Sequence, residues 1–190
     1  GFILGSQSYE QAWAEYIKRK AAKGFASVIK SAVDRSQPDQ ILFVGHSLGC
    51  RALCEITKHF VVEDRRIRNF VLASPDIEVK QFADAIKPAV SANKKVFVYA
   101  SRSDRALQFA SWLYEARAGA NPALITGFAP KNVEIVATEG CYYDQPDFWR
   151  HSDFSCGAGP DLQEALRGRS PEARLLELRT NAQGGYWSIG

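Results

Sequence analysis

Two patterns of apolar positions alternate along the chain. Apolar residues recurring every three to four positions predict an amphipathic helix, whereas a short unbroken apolar run suits a strand buried on both faces of a parallel sheet. A long helix is predicted over residues 9–33, and Pro38 follows its end. Its apolar positions are Trp13, Ile17, Ala21, Phe25, Val28 and Ala32.

The same alternation continues toward the C-terminus. Apolar runs at residues 41–44, 70–73, 96–100 and 133–137 predict strands, with Gly45 stopping the first of them and Glu134 as the one charged residue in the last. The segments between them have helical spacing, with apolar positions at Leu53, Ile56, Phe60, the stretch 82–90, Leu107, Ala110, Leu113 and Tyr114. Strands that alternate with helices predict an α/β fold with a mostly parallel sheet flanked by helices.

The two ends of the chain depart from this pattern. Upstream of residue 41 only residues 2–4 could form a strand, so we expect N-terminal strands to be lacking or missing from this chain. After residue 156 glycines and prolines break the chain, and short helices are expected only at 162–166 and 173–178. We therefore predict a domain over residues 1–156 and an irregular extension over 157–190 that packs on it.

Composition narrows the class of protein further. The 190 residues carry 24 Lys and Arg against 21 Asp and Glu, a mixed surface that argues against a nucleic-acid partner. No apolar stretch approaches the roughly 18 residues of a membrane span, and no signal peptide is visible. The four cysteines form no CxxC pair, so no structural metal is expected. Neither a GxGxxG nor a P-loop motif follows a predicted strand, and no cofactor is expected. The chain opens at Gly1 and lacks Met, which leaves localisation open, with the cytoplasm favoured.

The segment Gly-His-Ser-Leu-Gly at residues 45–49 is the strongest chemical motif. It lies directly after a predicted buried strand and before a predicted helix, the context of the nucleophile elbow of α/β-hydrolases. Ser47 is the predicted nucleophile, and the backbone N–H of Leu48 is the predicted oxyanion donor. A larger residue at Gly45 or Gly49 is expected to clash. The alternative is a plain turn in which Ser47 caps the helix.

A serine hydroxyl needs a base to take its proton, and the chain has three histidines. His46 lies inside the motif with its side chain expected to point away from the serine, and His59 lies far along the following helix. Both are interpreted as structural. His151 follows the last predicted strand, where a loop can return it to the carboxyl edge of the sheet, and it is the predicted base.

The base in turn needs a carboxylate, expected in the order serine, acid, histidine. Asp104 follows the strand predicted at 96–100 and is the first choice, although an aspartate there can also simply cap the next helix. Asp76, after the strand ending at Ala73, is the alternative acid. Asp153 is too close in sequence to His151 to be preferred.

The chain also resembles a known family in four stretches: GHSLG, LASPDIEVKQF, VFVYASRSDRAL and WRHSDF. These are similar to a bacterial α/β-hydrolase family of uncharacterised function, over about residues 1–154. The resemblance implies an esterase-type fold with Ser47, Asp104 and His151 as triad, and it names no substrate. Such hydrolases carry earlier strands and a loop that completes the oxyanion hole. Either the short run at 2–4 and the loop at 5–7 serve here, or, as we favour, an N-terminal part is missing from this chain.

These observations predict a serine hydrolase that cleaves a small-molecule carboxylic ester or thioester through an acyl-enzyme on Ser47. Two alternatives stay open. One is a catalytically silent hydrolase-like domain that binds a protein partner, with the extension after residue 156 as a possible contact. The other is an acyltransferase that uses the same triad.

Overall fold

The computed structural model describes residues 22–59, 64–139, 150–151, 154 and 158–189. Helices and strands alternate through most of these residues. In chain order they are α1 (Ala22–Ser36), β1 (Ile41–His46), α2 (Leu48–Thr57), β2 (Ile67–Ala73), α3 (Val79–Ser91), β3 (Lys95–Ala100), α4 (Arg105–Leu113), β4 (Val133–Ala137), α5 (Gly159–Leu166), β5 (Glu177–Asn181) and β6 (Gly184–Ser188). Short 3-10 turns lie at Ala118–Ala120, Pro122–Leu124, Thr126–Phe128 and Glu172–Arg174.

The described strands form one six-stranded sheet in the order β1-β2-β3-β4-β6-β5. Neighbours from β1 to β4 are parallel, β6 continues parallel to β4, and only β5 is antiparallel. Parallel strands end at the same edge of a sheet, so the loops after β1, β2 and β3 meet there. This mostly parallel sheet with flanking helices confirms the predicted α/β-hydrolase fold.

The core lies on both faces of the sheet. One cluster joins the apolar sides of α2 and α3, including Leu53 and Phe82, to the strands, and a second joins Phe97 and Val136 to the C-terminal segment. β2, β3 and β4 are largely buried, as their apolar runs predict.

β1 differs from its prediction in two ways. The strand continues through Gly45 to His46, so the glycine does not stop it. It is also an edge strand of the described sheet, and Leu42 and Val44 on one face are 42% and 51% exposed. An apolar run therefore predicted the strand correctly but not its burial, because burial depends on what packs beside it.

The C-terminal extension is more regular than predicted. It supplies α5 and the hairpin of β5 and β6, and β6 extends the sheet beyond β4. The helix expected at 173–178 was wrong, since only Glu172–Arg174 forms a 3-10 turn and β5 begins at Glu177. Every residue of β5 is exposed. Its pairing with β6, rather than an apolar pattern, makes it a strand.

A buried ionic cluster attaches this extension to the sheet. The Arg174 side chain is 1% exposed and pairs with Glu134 of β4 and, at 3.4 Å, with Asp161 of α5. The Tyr99 hydroxyl of β3 donates to Asp161 Oδ2 at 2.7 Å. Burial raises the pKa of the Asp161 carboxyl. Charged groups from three elements thus meet under the extension.

The helix predicted at 9–33 is described from Ala22 onward, and residues 9–21 lie outside the described residues. α1 buries Ala26 and Val33, whereas Phe25 and Val28 are 58% and 64% exposed. The predicted helical spacing was right. However, α1 packs on the domain with the face that carries Ala26 and Val33, and not with the face that carries Phe25 and Val28. Within the described ranges, no helix combines the length and apolar character needed to cross a bilayer.

Candidate active site

Ser47 occupies a one-residue turn between β1 and α2. Its backbone has φ 52° and ψ −125°, a region that residues with a side chain rarely adopt. Such a conformation costs on the order of 1–3 kcal/mol and persists only where the surroundings enforce it. The turn is therefore strained, as expected of a nucleophile elbow rather than a plain turn.

Backbone hydrogen bonds from three directions enforce this conformation. The Ser47 N–H donates to the carbonyl of Ala73 at 2.9 Å. The Ser47 carbonyl accepts from the N–H of Cys50 at 3.0 Å and from the N–H of Asp76 at 3.3 Å. The elbow is thus bound both to its own helix and to the end of the neighbouring strand.

The two glycines of the motif differ in what surrounds them. An added Cβ at Gly45 would lie 2.9 Å from Cys50 Cα and 3.1 Å from the Gly49 carbonyl oxygen, both backbone atoms that cannot rotate away. At Gly49 an added Cβ meets no described atom within 4 Å. The predicted clash is confirmed at Gly45 and was wrong at Gly49, because only Gly45 lies beneath the first turn of α2.

Gly45→Ala and Gly49→Ala therefore form a matched pair of variants. We expect Gly45→Ala to lower the free energy of unfolding by about 1–3 kcal/mol, the usual cost of overpacking. Gly49→Ala should leave it equal or raise it by up to about 1 kcal/mol, since alanine favours a helix. Urea unfolding followed by circular dichroism measures both. Equal destabilisation by the two variants would contradict the close approach at Gly45.

The Ser47 side chain makes no capping hydrogen bond to α2. The alternative of a serine that merely caps this helix therefore does not hold. Leu48 is the first residue of α2, and the first N–H groups of a helix have no partner within it. The Leu48 N–H thus lies at the positive end of the helix dipole, next to the serine.

Asp104 carries out two tasks at once. It is fully buried at the N-terminus of α4, and its Oδ1 accepts from the N–H of Leu107 at 3.0 Å, which caps the helix. Its Oδ2 accepts from His151 Nδ1 at 2.8 Å. The capping role and the contact with the histidine, considered as alternatives from the sequence, use different oxygens of one carboxylate.

His151 lies against the elbow as well as against Asp104. Its side chain is 23% exposed, and its ring centroid lies 4.8 Å from that of His46. His46 Nε2 donates to the backbone carbonyl of His151 at 3.0 Å. The residue immediately before Ser47 therefore holds the segment that carries His151. The sequence reasoning missed this contact, because nothing local to residues 45–49 indicates what the His46 ring touches.

His59 and Asp76 lie in other surroundings. His59 follows the C-terminal end of α2, roughly 15 Å of helix away from Ser47. The Asp76 carboxylate contacts two guanidinium groups, that of Arg51 at 3.4 Å and that of Arg117 at 3.1 Å. The structure thus brings Asp104 to His151, while Asp76 belongs to a buried ionic cluster beside the elbow.

Two further expectations concern the second oxyanion donor and a bound metal ion. Residues 2–7, the candidate for the second oxyanion donor, lie outside the described residues. Among the described histidine, cysteine and acidic residues, no group of three is arranged to hold a metal ion.

Burial raises the pKa of the Cys50 thiol, one turn into α2, well above its usual value. This thiol is therefore kept in its neutral form beside the elbow.

A parallel sheet with a strained serine turn after one strand and an acid after another is the arrangement of the α/β-hydrolase class of proteins. A family model described as "Alpha/beta hydrolase of unknown function (DUF900)" matches residues 8–123. The match covers more than half of the chain, so the chain belongs to this family. It includes Ser47 and Asp104 and ends before His151. No curated protein and no solved structure matches the chain significantly.

Proposed function

We propose that this α/β hydrolase is a serine hydrolase that cleaves small carboxylic esters or thioesters through an acyl-enzyme on Ser47. The proposal is carried by one observation, the 2.8 Å contact between His151 Nδ1 and Asp104 Oδ2 at the sheet edge where the elbow lies. The strained backbone of Ser47 and the contact between His46 and His151 support it.

In the acylation step, Ser47 Oγ attacks the carbonyl carbon of the substrate while His151 Nε2 accepts the hydroxyl proton. Because His151 Nδ1–H donates to Asp104, the neutral ring presents Nε2 as the basic nitrogen. The tetrahedral intermediate collapses by breaking the bond to the leaving group. The leaving oxygen or sulfur takes the proton back from Nε2, and an ester of Ser47 remains.

Deacylation repeats these steps with water. Water attacks the acyl carbonyl as His151 Nε2 removes a proton from it, and collapse of the second intermediate breaks the bond to Ser47 Oγ. The proton on Nε2 returns to the serine. The acid product leaves, and the enzyme is restored without any cofactor.

Negative charge develops on the carbonyl oxygen in both steps. The Leu48 N–H, at the start of α2, is the donor assigned to that oxygen, and the helix dipole acts in the same direction. Removing one such donor typically costs about 10²–10³ in rate. Esters and thioesters are assigned before amides, since their leaving groups depart more readily.

A fluorophosphonate probe tests this proposal directly. Native protein is expected to become covalently labelled, and peptide mass spectrometry should locate the adduct on Ser47. His151→Ala should label at least about 10²-fold more slowly, because general-base catalysis contributes that much or more. Hydrolysis of nitrophenyl acetate and of a long-chain nitrophenyl ester then indicates the acyl size.

Heat-denatured protein is the control for labelling of any exposed serine. An unlabelled native protein with intact circular dichroism would overturn the proposal and favour a domain that only binds. Labelling with an unchanged rate in His151→Ala would remove the histidine from the mechanism. Transfer of the acyl group to an added alcohol in preference to water would identify an acyltransferase.

A further inference from the structure

We infer that Arg117 is a positioning residue that sets the distance between the nucleophile elbow and the turn carrying Asp104. Nothing in the motif at residues 45–49 indicates it, since Arg117 lies far from that motif in the chain. Its side chain is 1% exposed and lies against Asp76 in the loop that follows β2. This inference rests on the proposed function and deepens it.

The first link joins the elbow to the loop after β2. The N–H of Asp76 donates to the carbonyl of Ser47 at 3.3 Å. Arg51, one turn into α2, donates through Nε to the carbonyl of Asp76, and its Nη2 lies 3.4 Å from the Asp76 carboxylate. Asp76 therefore contacts Ser47 through its amide, and it contacts Arg51 of α2 through its carbonyl and its side chain.

Arg117 holds Asp76 from the other side. Its Nε lies 3.1 Å from Asp76 Oδ1, its Nη1 lies 3.7 Å from Glu78, and its guanidinium stands 5.6 Å from the ring of Tyr114. In a buried site with low dielectric such charge pairs are strong, and removing one partner leaves an uncompensated charge. The guanidinium also lies over the Tyr114 ring, and a lysine ammonium, a compact point charge, does not reproduce that planar contact.

The backbone around Arg117 runs alongside the loop after β2. The N–H of Ala118 donates to Ile77 at 2.7 Å, and the N–H of Gly119 donates to Pro75 at 2.9 Å. An added Cβ at Gly119 would lie 2.5 Å from the Ser74 carbonyl carbon and 2.6 Å from Leu107. The segment is thus wedged between the loop after β2 and α4, the helix that Asp104 caps.

The last link reaches the acid. The carbonyl of Gly119 accepts from the N–H of Ser101 at 3.0 Å, and the carbonyl of Ser101 accepts from the N–H of Asp104 at 3.3 Å. An unbroken series of contacts therefore runs from Ser47 through Asp76 and Arg117 to Asp104. Moving Arg117 shifts the serine turn and the acid turn relative to each other.

Arg117→Lys tests this role, with Arg174→Lys as the matched control. Arg174 is equally buried at 1% exposure and also pairs with two carboxylates, but it lies under the C-terminal extension. The initial rate of fluorophosphonate labelling at Ser47, and kcat and KM for nitrophenyl acetate, are measured well below the melting temperature of each variant.

Arg117→Lys is expected to lower kcat and the labelling rate by about 10- to 100-fold with KM changed less than about twofold, the effect of misplaced groups on an otherwise intact site. Arg174→Lys is expected to have a lower melting temperature than the native protein, but its kcat and its labelling rate should stay within about twofold of the native values. If Arg117→Lys does not fold, Asp76→Asn replaces it. Asp76→Asn keeps the amide that contacts Ser47 and should lower kcat in the same way.

Native rates in Arg117→Lys, or in Asp76→Asn where that variant replaces it, would overturn the inference while leaving the proposed function standing. Equal loss of rate in Arg174→Lys would also overturn it, because the effect would then be one of general stability. An unlabelled native protein would overturn the proposed function, and this inference with it. Failure of the inference about Arg117 is therefore distinguishable from failure of the proposed function.

Discussion

Ser47→Ala is expected to abolish turnover, by about 10⁶-fold in kcat, which is the loss typical when a serine nucleophile is removed. The fold should be retained. The Ser47 hydroxyl makes no capping bond to α2, and alanine meets the same backbone strain at φ 52° as serine does. We expect the free energy of unfolding to stay within about 0.5 kcal/mol of the native value.

Ser74→Ala is the control for this variant. Ser74 is buried whereas Ser47 is half-buried, but Ser74 shares with Ser47 a positive φ, here 44°, and a position directly after a strand at the same sheet edge. It should keep fluorophosphonate labelling and ester hydrolysis, whereas Ser47→Ala loses both. The measurements are labelling, steady-state hydrolysis and urea unfolding of the two variants in parallel. Retained labelling in Ser47→Ala, or loss of its fold, would contradict the assignment of the nucleophile.

Asp104→Asn is expected to lower kcat by about 10⁴-fold, the loss seen in catalytic triads that keep their geometry but lose the charge of the acid. An asparagine amide cannot stabilise the imidazolium of His151, and its NH2 group favours the tautomer with the proton on Nε2. Its carbonyl oxygen can still accept from Leu107, because asparagine caps helices about as well as aspartate. This substitution therefore separates the two tasks of Asp104.

Asp104→Ala removes both tasks and completes the comparison. It should lose activity as Asp104→Asn does and, in addition, lower the free energy of unfolding by about 0.5–2 kcal/mol through loss of the helix cap. Thermal unfolding and ester hydrolysis of both variants give the two effects separately. If Asp104→Asn kept native kcat, the contact between Asp104 and His151 would be structural only.

Local features were predictable from the sequence because neighbouring residues decide them. The four apolar runs became β1 to β4, and the motif at 45–49 became a strained turn between a strand and a helix. The order of strands and helices implied a parallel sheet. A parallel sheet in turn brings the loops after β1 and β3 to one edge, and this places Ser47 and Asp104 at the same edge.

Contacts between distant residues were not predictable in this way. Asp76 and Asp104 each follow a strand at the same edge, so the pattern alone leaves either free to meet His151. The structure pairs Asp104 with His151, while Arg51 and Arg117 surround Asp76. Whether a carboxylate meets a histidine or an arginine depends on loops that converge only after folding.

The sequence by itself determined the class of fold, the elbow at Ser47 and the candidates for acid and base, since these follow from periodicity, turn chemistry and chain order. Tertiary structure decided the rest. It paired β6 with β4, left Leu42 and Val44 exposed on β1, and set the His46 ring against His151. Burial and pairing are properties of what packs beside a residue, and the neighbours in these cases come from remote parts of the chain.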